Sequence, residues 1–178
     1  MPITRRPPGG PHGRRVAAEP LLSARELLAE ARVHERAGRI DEAFAAFEAV
    51  IAASERSGES QILAESLRRL SVLCHHRNEP DRARALCRRS QETAELLGDD
   101  GLAAEALNTL GSFEFEHGAM LPARELLGQA LARAGGRADL QSRIEQNLGI
   151  IATIQGDHEA ALRRKRQRIP WVRLTKAR

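Results

Sequence analysis

Four residues with metal-binding and redox chemistry lie close together in one stretch of the sequence: Cys74, His75, His76 and Cys87. Thiolate and imidazole are zinc ligands, and a structural zinc site needs four of them around one point. If the stretch is helical, the side chains of His75 and His76 point about 100° and 200° away from that of Cys74. We therefore predict that the two cysteines are buried structural thiols, with a redox-sensing thiol pair or a metal site as the alternatives.

Other short motifs lack the partners that catalysis requires. The segment HEAAL at His158 begins like a metalloprotease motif, but Leu162 stands where the second histidine would be. Glu114 and Glu116 are two positions apart, so on a helix they face different directions. The sequence has no phosphate loop, dinucleotide fingerprint or nucleophile elbow. We predict a protein that is not an enzyme, with no catalytic residue, no cofactor and no metal.

The basic charge of the protein is concentrated at its two ends. The first twenty residues carry four bases and one acid, and the last sixteen carry eight bases and no acid. Residues 21–162 carry 16 bases and 23 acids, so the net charge of +4 hides an acidic middle. A high pI that comes from the tails does not predict a nucleic-acid-binding surface on the folded body.

The basic C-terminal segment, residues 163–178, has three interpretations. Its interspersed Ile169, Trp171, Val172 and Leu174 are compatible with a basic arm that binds nucleic acid or an anionic membrane. The segment is equally compatible with an inert tail. The third interpretation is a truncation or frameshift that ends a longer repeat array, because the repeat pattern described below stops inside a helix.

Composition predicts an all-α, cytoplasmic protein. Hydrophobic residues make up 42% of the chain and aromatic residues only 3%, with a mean hydropathy of −0.43. Small and unbranched apolar residues favour helices over sheets. No apolar run approaches the ~18 residues of a membrane span, and the first twenty residues lack the apolar stretch of a signal peptide.

Four similar segments along the chain each have a turn residue followed five positions later by an alanine. The pairs are Gly38 and Ala43, Asn78 and Ala83, Gly118 and Ala123, and Gly156 and Ala161. The alanines are 40, 40 and 38 residues apart. A constant period in this range indicates a repeat architecture. Helices are predicted near 21–36, 40–56, 60–76, 80–96, 100–116, 120–134, 138–154 and 158–168.

Small residues upstream of each turn predict a close helix-helix contact. Leu70-Ser71, Leu110-Gly111 and Leu148-Gly149 each place a small residue in the first helix of a pair. Two helices approach to about 8 Å only where one presents almost no side chain. We expect the alanine after the turn to meet this small residue from the second helix.

These features together resemble the tetratricopeptide-repeat family, in its form with units of about 40 residues. Leu110, Gly111, Gly118, Ala123 and Leu127 match the family pattern in the third unit. The resemblance implies a right-handed α-solenoid of about four helix-turn-helix repeats. The expected organisation is a disordered basic tail over 1–20, a repeat domain over 21–162 with units at 21–58, 59–98, 99–136 and 137–162, and the basic tail 163–178.

The fourth unit departs from the family pattern after Leu162. Lys165 and Arg168 stand where the family packs apolar residues. We expect this unit to leave Leu148 and Ile151 poorly covered, to be the least stable, and to offer a route to self-association.

The resemblance implies a non-enzymatic scaffold that binds a peptide or helix of another protein on the concave face of the repeats. The first helices of the units are expected to form that face and to expose Arg32, Arg68 and Arg69 toward one bound segment. The alternative is that these arginines are solvated or paired with Glu65 and Glu30. The full candidate groove is Leu28, Arg32, Arg68, Arg69, Val72, Asn108, Ser112, Phe115, Gln146, Asn147 and Ile150. One alternative is a detached sensor or oligomerisation region of a bacterial transcription regulator or signalling enzyme. The other is nucleic-acid binding through the basic tails.

Overall fold

The computed structural model describes residues 22–167, and this part of the chain forms eight α-helices and no strand. The helices are α1 Ala24–Arg36, α2 Ile40–Ser57, α3 Ser60–His76, α4 Pro80–Leu96, α5 Asp100–Glu116, α6 Met120–Arg133, α7 Ala138–Ile154 and α8 His158–Gln167. The all-α prediction is confirmed, and the predicted bounds agree with these helices to within three residues. The predicted N-terminal tail and residues 168–178 lie outside the described residues.

Capping side chains explain where helices begin, and residues in the left-handed conformation explain where the chain turns between them. Ser23 and Glu26 form a reciprocal cap at the start of α1, with Ser23 N–H donating to the Glu26 carboxylate at 2.8 Å. Asp99 accepts from the backbone N–H of Leu102 at the start of α5. Gly118 has φ +80°, and Asn78 takes the same left-handed conformation at φ +59°. Asparagine tolerates this region, so the second unit turns without the usual glycine.

The eight helices stack as four hairpins in two layers. We name α1, α3, α5 and α7 the A helices, and α2, α4, α6 and α8 the B helices. Each of α2, α4 and α6 packs against the A helix before it and the A helix after it, and α8 packs against α7. Successive A helices also contact one another, so they form the inner layer of a curved stack. The prediction of an α-solenoid of helix-turn-helix repeats is confirmed.

Two large apolar clusters and a small one of Ala64, Ala94 and Ala103 form the core. One runs through the first three hairpins and includes Phe47, Leu70 and Cys87. The other joins the third hairpin to the fourth and includes Leu107 and Ile144. Apolar burial in these clusters supplies most of the stabilisation that holds the hairpins together.

The predicted close approach of α5 and α6 is confirmed at Gly111. A Cβ atom at this position would lie 2.8 Å from Leu127 Cγ and 3.3 Å from the Ala123 carbonyl oxygen. Only glycine therefore fits without moving the two helices apart.

The expectation that Leu148 and Ile151 lack cover is wrong. They are 3% and 1% exposed, respectively. Both belong to the cluster that contains Leu107 and Leu127, so the preceding hairpin covers them. On the outer side of α7, Arg164 of α8 donates to Glu145 at 2.7 Å. Of the two basic residues that motivated the expectation, Arg168 and the side chain of Lys165 lie outside the described atoms.

Candidate binding surface

The cysteine and histidine cluster is structural. Cys74 and Cys87 are both buried free thiols, as predicted, and Cys87 Sγ lies 3.2 Å from the Ala106 carbonyl oxygen. Burial raises the pKa of Cys87 to about 11 and also raises that of Cys74, so neither thiol forms a reactive thiolate readily. His75 stacks on Phe113, with ring centroids 4.4 Å apart. Among residues 22–167, no group of three metal-binding side chains is arranged around one point.

The candidate groove residues lie on the A helices, but they differ in exposure. The expectation that Leu28 is exposed is wrong, because Leu28 is 6% exposed and packs in the first core cluster. Val72 and Phe115 are half-buried against the two clusters. Gln146 and Ile150 are exposed. The remaining six are partly buried: Arg32, Arg68, Arg69, Asn108, Ser112 and Asn147.

In the first two hairpins, the inner-face arginines are held by carboxylates of the protein itself. Arg32 donates to both carboxylate oxygens of Glu65, with its shortest contact at 2.5 Å. Arg69 donates to Glu65 at 2.8 Å and to Glu35 at 2.5 Å. Burial acts to raise the pKa of Glu65, but the hydrogen bonds from Arg32 and Arg69 outweigh it and hold that pKa below its usual value.

A second group of ion pairs continues this arrangement toward the third and fourth hairpins. Arg68 contacts Glu105 at 2.9 Å, and Arg137, at the start of α7, donates to the same carboxylate. The Arg68 side chain is only 15% exposed, and its burial lowers the pKa of the guanidinium. We call the whole set the charged ladder, which consists of Arg32, Glu35, Glu65, Arg68, Arg69, Glu105 and Arg137.

Pairing within the charged ladder makes the inner-face arginines less available to a carboxylate of a partner. The sequence is compatible with Arg32, Arg68 and Arg69 pointing at one bound segment, or with their pairing to carboxylates such as Glu65 and Glu30. Arg32 and Arg69 do converge, but on Glu65, while Arg68 turns to Glu105. A partner carboxylate would have to displace an existing, partly desolvated ion pair, which offsets much of the gain from a new one.

The inner face of α5 and α7 has a different chemistry. Asn147 Nδ2 donates to Asn108 Oδ1 at 3.1 Å and lies 3.4 Å from Ser112 Oγ. Ile150 and Ile154 are 42% and 58% exposed and lie one turn apart on α7. Residues 146–154 include no charged side chain. We call this set the amide-isoleucine strip, which consists of Asn108, Ser112, Gln146, Asn147, Ile150 and Ile154.

Four residues of this surface are not among those expected from the sequence: Glu35, Glu105, Arg137 and Ile154. Glu105 lies 40 residues after Glu65, so the repeat period could have identified it as the equivalent inner-face carboxylate. Ile154 follows Ile150 by four positions, which places it on the same helix face. No sequence signal identifies Arg137, because it reaches Glu105 from the turn before α7.

Comparisons with known proteins agree with this geometry. The family model described as tetratricopeptide repeat matches residues 23–95. No curated protein matches the sequence significantly. No helix within residues 22–167 is both long and apolar enough to cross a membrane.

Two solved structures resemble the fold. The crystal structure of BtubC (BKLC) from P. vanneervenii is 24% identical with a TM-score of 0.70, and the match covers 80% of this chain and 62% of that one. The crystal structure of MamA protein is 20% identical with a TM-score of 0.55, covering 82% of this chain and 71% of that one. The chain thus spans less than two thirds of the length of BtubC, and identities this low support the fold alone.

Proposed function

We propose that the chain is a non-enzymatic scaffold that binds a peptide or helix of another protein on the inner face of the stack, because the tetratricopeptide-repeat model matches residues 23–95. Proteins of this repeat family generally serve protein-protein interaction. Solenoids offer an extended concave surface on which a partner segment can lie along several repeats at once.

The amide-isoleucine strip is the observation that carries this proposal. Asn108, Gln146 and Asn147 offer amide groups that can donate to and accept from a peptide backbone. Ile150 and Ile154 offer exposed apolar surface beside those amides. Polar anchors next to an apolar surface are what recognition of a polypeptide segment requires. The charged ladder is a weaker candidate, since its arginines are already paired.

Site-specific photo-crosslinking tests the proposal. A photoreactive amino acid is placed at Gln146 or Ile150 on the inner face, and at Arg88 or Arg124 on the outer face as matched exposed controls. Crosslinking is carried out in the source cells, where the proposal predicts adducts with one protein from the inner positions only. Equal adducts from both faces, or adducts from the outer face alone, would contradict it.

A binding measurement then follows with the crosslinked partner. Ile150→Lys should weaken the complex at least about tenfold, which corresponds to ~1.4 kcal/mol. Helix content should not change, because Ile150 is substantially exposed. An unchanged affinity would remove the strip from the binding surface.

A further inference from the structure

The second half of α7 presents an apolar surface that nothing in residues 22–167 covers completely. Ile150 and Ile154 lie one turn apart on the inner side, and Gln146 lies one turn before Ile150 on the same face. We call these three residues the row. We propose that residues 168–178 of the same chain bind along this row and shield the two isoleucines. Three properties support this contact: the side-chain composition of the segment, its length and the charges around the row.

The chemistry of the segment suits the row. Its sequence, RIPWVRLTKAR, has four basic residues, no acid and a set of large apolar side chains: Ile169, Trp171, Val172 and Leu174. Such side chains gain free energy by leaving water for contact with exposed isoleucines. The body that would receive the segment is acidic, since residues 22–167 contain 23 acids and 20 bases.

The segment is long enough to reach the row. The Arg164–Glu145 pair places the end of α8 beside the first half of α7, because the two helices run antiparallel. The eight-residue step from Gln146 to Ile154 is about 12 Å along the helix axis. Eleven extended residues span up to about 36 Å, which allows for crossing the ~10 Å width of a helix as well.

Charge selects this row over the rest of the inner face. The three carboxylates of the charged ladder are already paired with its four arginines, so a basic segment would have to displace an existing ion pair there. The row itself has no charged residue between positions 146 and 154. On the neighbouring α5, Glu116 is more than half exposed, and α5 and α7 both end at this edge, where their dipoles are negative.

Trp171 provides a direct test, because it is the single tryptophan of the chain. Quenching of its fluorescence by acrylamide is compared between the full-length protein and a synthetic peptide of residues 168–178. We expect quenching at least about threefold weaker in the protein, because contact with apolar side chains shields the indole ring. Equal quenching in protein and peptide would overturn the proposal.

Variants locate the contact. Ile150→Lys combined with Ile154→Lys should raise quenching to the level of the peptide, and circular dichroism checks that the fold is kept. Leu121→Lys is the matched control, because Leu121 is as exposed as Ile154 but belongs to α6, a B helix, and not to α7. If the control raises quenching as much as the double variant, the row is not the binding site.

The state of association separates binding within one chain from exchange between chains. Shielding of Trp171 should be independent of protein concentration, and the protein should elute as a monomer. Shielding that disappears on dilution would overturn binding in cis. If the proposed function holds, the segment competes with the partner for Ile150 and Ile154. The quenching experiment needs no partner, so failure of one proposal is distinguishable from failure of the other.

Discussion

The interface between the first and second hairpins and the interface between the third and fourth are built from different chemistry. The first is crossed by five arginine-carboxylate pairs: Arg32–Glu65, Arg69–Glu35, Arg77–Asp41, Arg82–Glu48 and Arg89–Glu55. The interface between the third and fourth hairpins, the last interface, has one such pair among the described residues, Arg137–Glu105. It also has the hydrogen bonds of Asn147.

The buried residues of the two interfaces also differ in polarity, with a more polar residue at the first interface and a more apolar one at the last. Ser66 and Ile144 occupy equivalent positions in α3 and α7, and both are fully buried. Ser66 Oγ has no hydrogen-bond partner, whereas Ile144 packs in an apolar cluster. The same helix arrangement is therefore reached with mixed polar and apolar contacts at one end and mainly apolar contacts at the other. Partly exposed ion pairs contribute little each, so loss of a single contact should cost more at the last interface.

The largest expected effect is at the last interface. Ile144→Ser gives α7 the residue type that α3 has at the equivalent position. It should lower the free energy of unfolding by about 2–5 kcal/mol, since it removes buried apolar atoms and leaves a hydroxyl in their place. Urea unfolding followed by circular dichroism measures the change. A loss below about 1 kcal/mol would mean that apolar burial does not dominate this interface.

A second pair of substitutions tests how closely the two helices pack within the third hairpin and within the fourth. Gly111→Leu should cost at least about 1–3 kcal/mol, because the new side chain collides with Leu127 and the Ala123 carbonyl. Gly149→Leu is the matched control, since no described atom lies within 4 Å of a Cβ built there. Thermal unfolding of both variants gives the comparison. Equal destabilisation would show that the fourth hairpin is packed as tightly as the third.

The charged ladder is tested at Glu65, which accepts hydrogen bonds from two arginines. Glu65→Gln should destabilise the protein by about 1–2 kcal/mol at neutral pH, because charge-assisted hydrogen bonds are lost at a partly buried site. Glu48→Gln, which affects a more exposed pair at the same interface, should cost only ~0–1 kcal/mol. A larger loss for Glu48→Gln would contradict the importance of the ladder.

The effect of Glu65→Gln on the free energy of unfolding should depend on pH. The pKa of Glu65 is lower in the folded protein than its usual 4.5. Its ionisation therefore stabilises the fold above that value, and this contribution is lost as the pH falls through the folded pKa. The difference in unfolding free energy between the wild type and Glu65→Gln should shrink as the pH is lowered below about 4.5. A difference that grows in acid would contradict the ion-pair assignment.

The smallest expected effect is at Ser66. Ser66→Ala removes a buried hydroxyl that lacks a partner, so the variant should be as stable as the wild type or more stable by up to about 1 kcal/mol. Differential scanning calorimetry can resolve a change of this size as a shift of the melting temperature. A clear loss of stability would show that the hydroxyl has a partner in solution.

Local signals in the sequence were sufficient for the helices, the turns and the closest helix contact. The 40-residue period predicts the eight helices because each unit repeats the same turn, with Asn78 able to take the conformation of glycine. Gly111 is identifiable because close helix packing within a hairpin depends on residues near in sequence. The burial of Cys74 and Cys87 follows from the same register.

The tertiary structure alone decided which side chains of the inner face remain available. The burial of Leu28, the pairing of Arg32 with Glu65 and the covering of Leu148 depend on how far each hairpin rotates against the next. That rotation results from packing between units, and no local pattern encodes it. The sequence by itself thus determined the repeat and its register, because these depend on neighbours along the chain. The division of the inner face into a paired charged ladder and an open amide-isoleucine strip depends on distances between residues more than thirty positions apart.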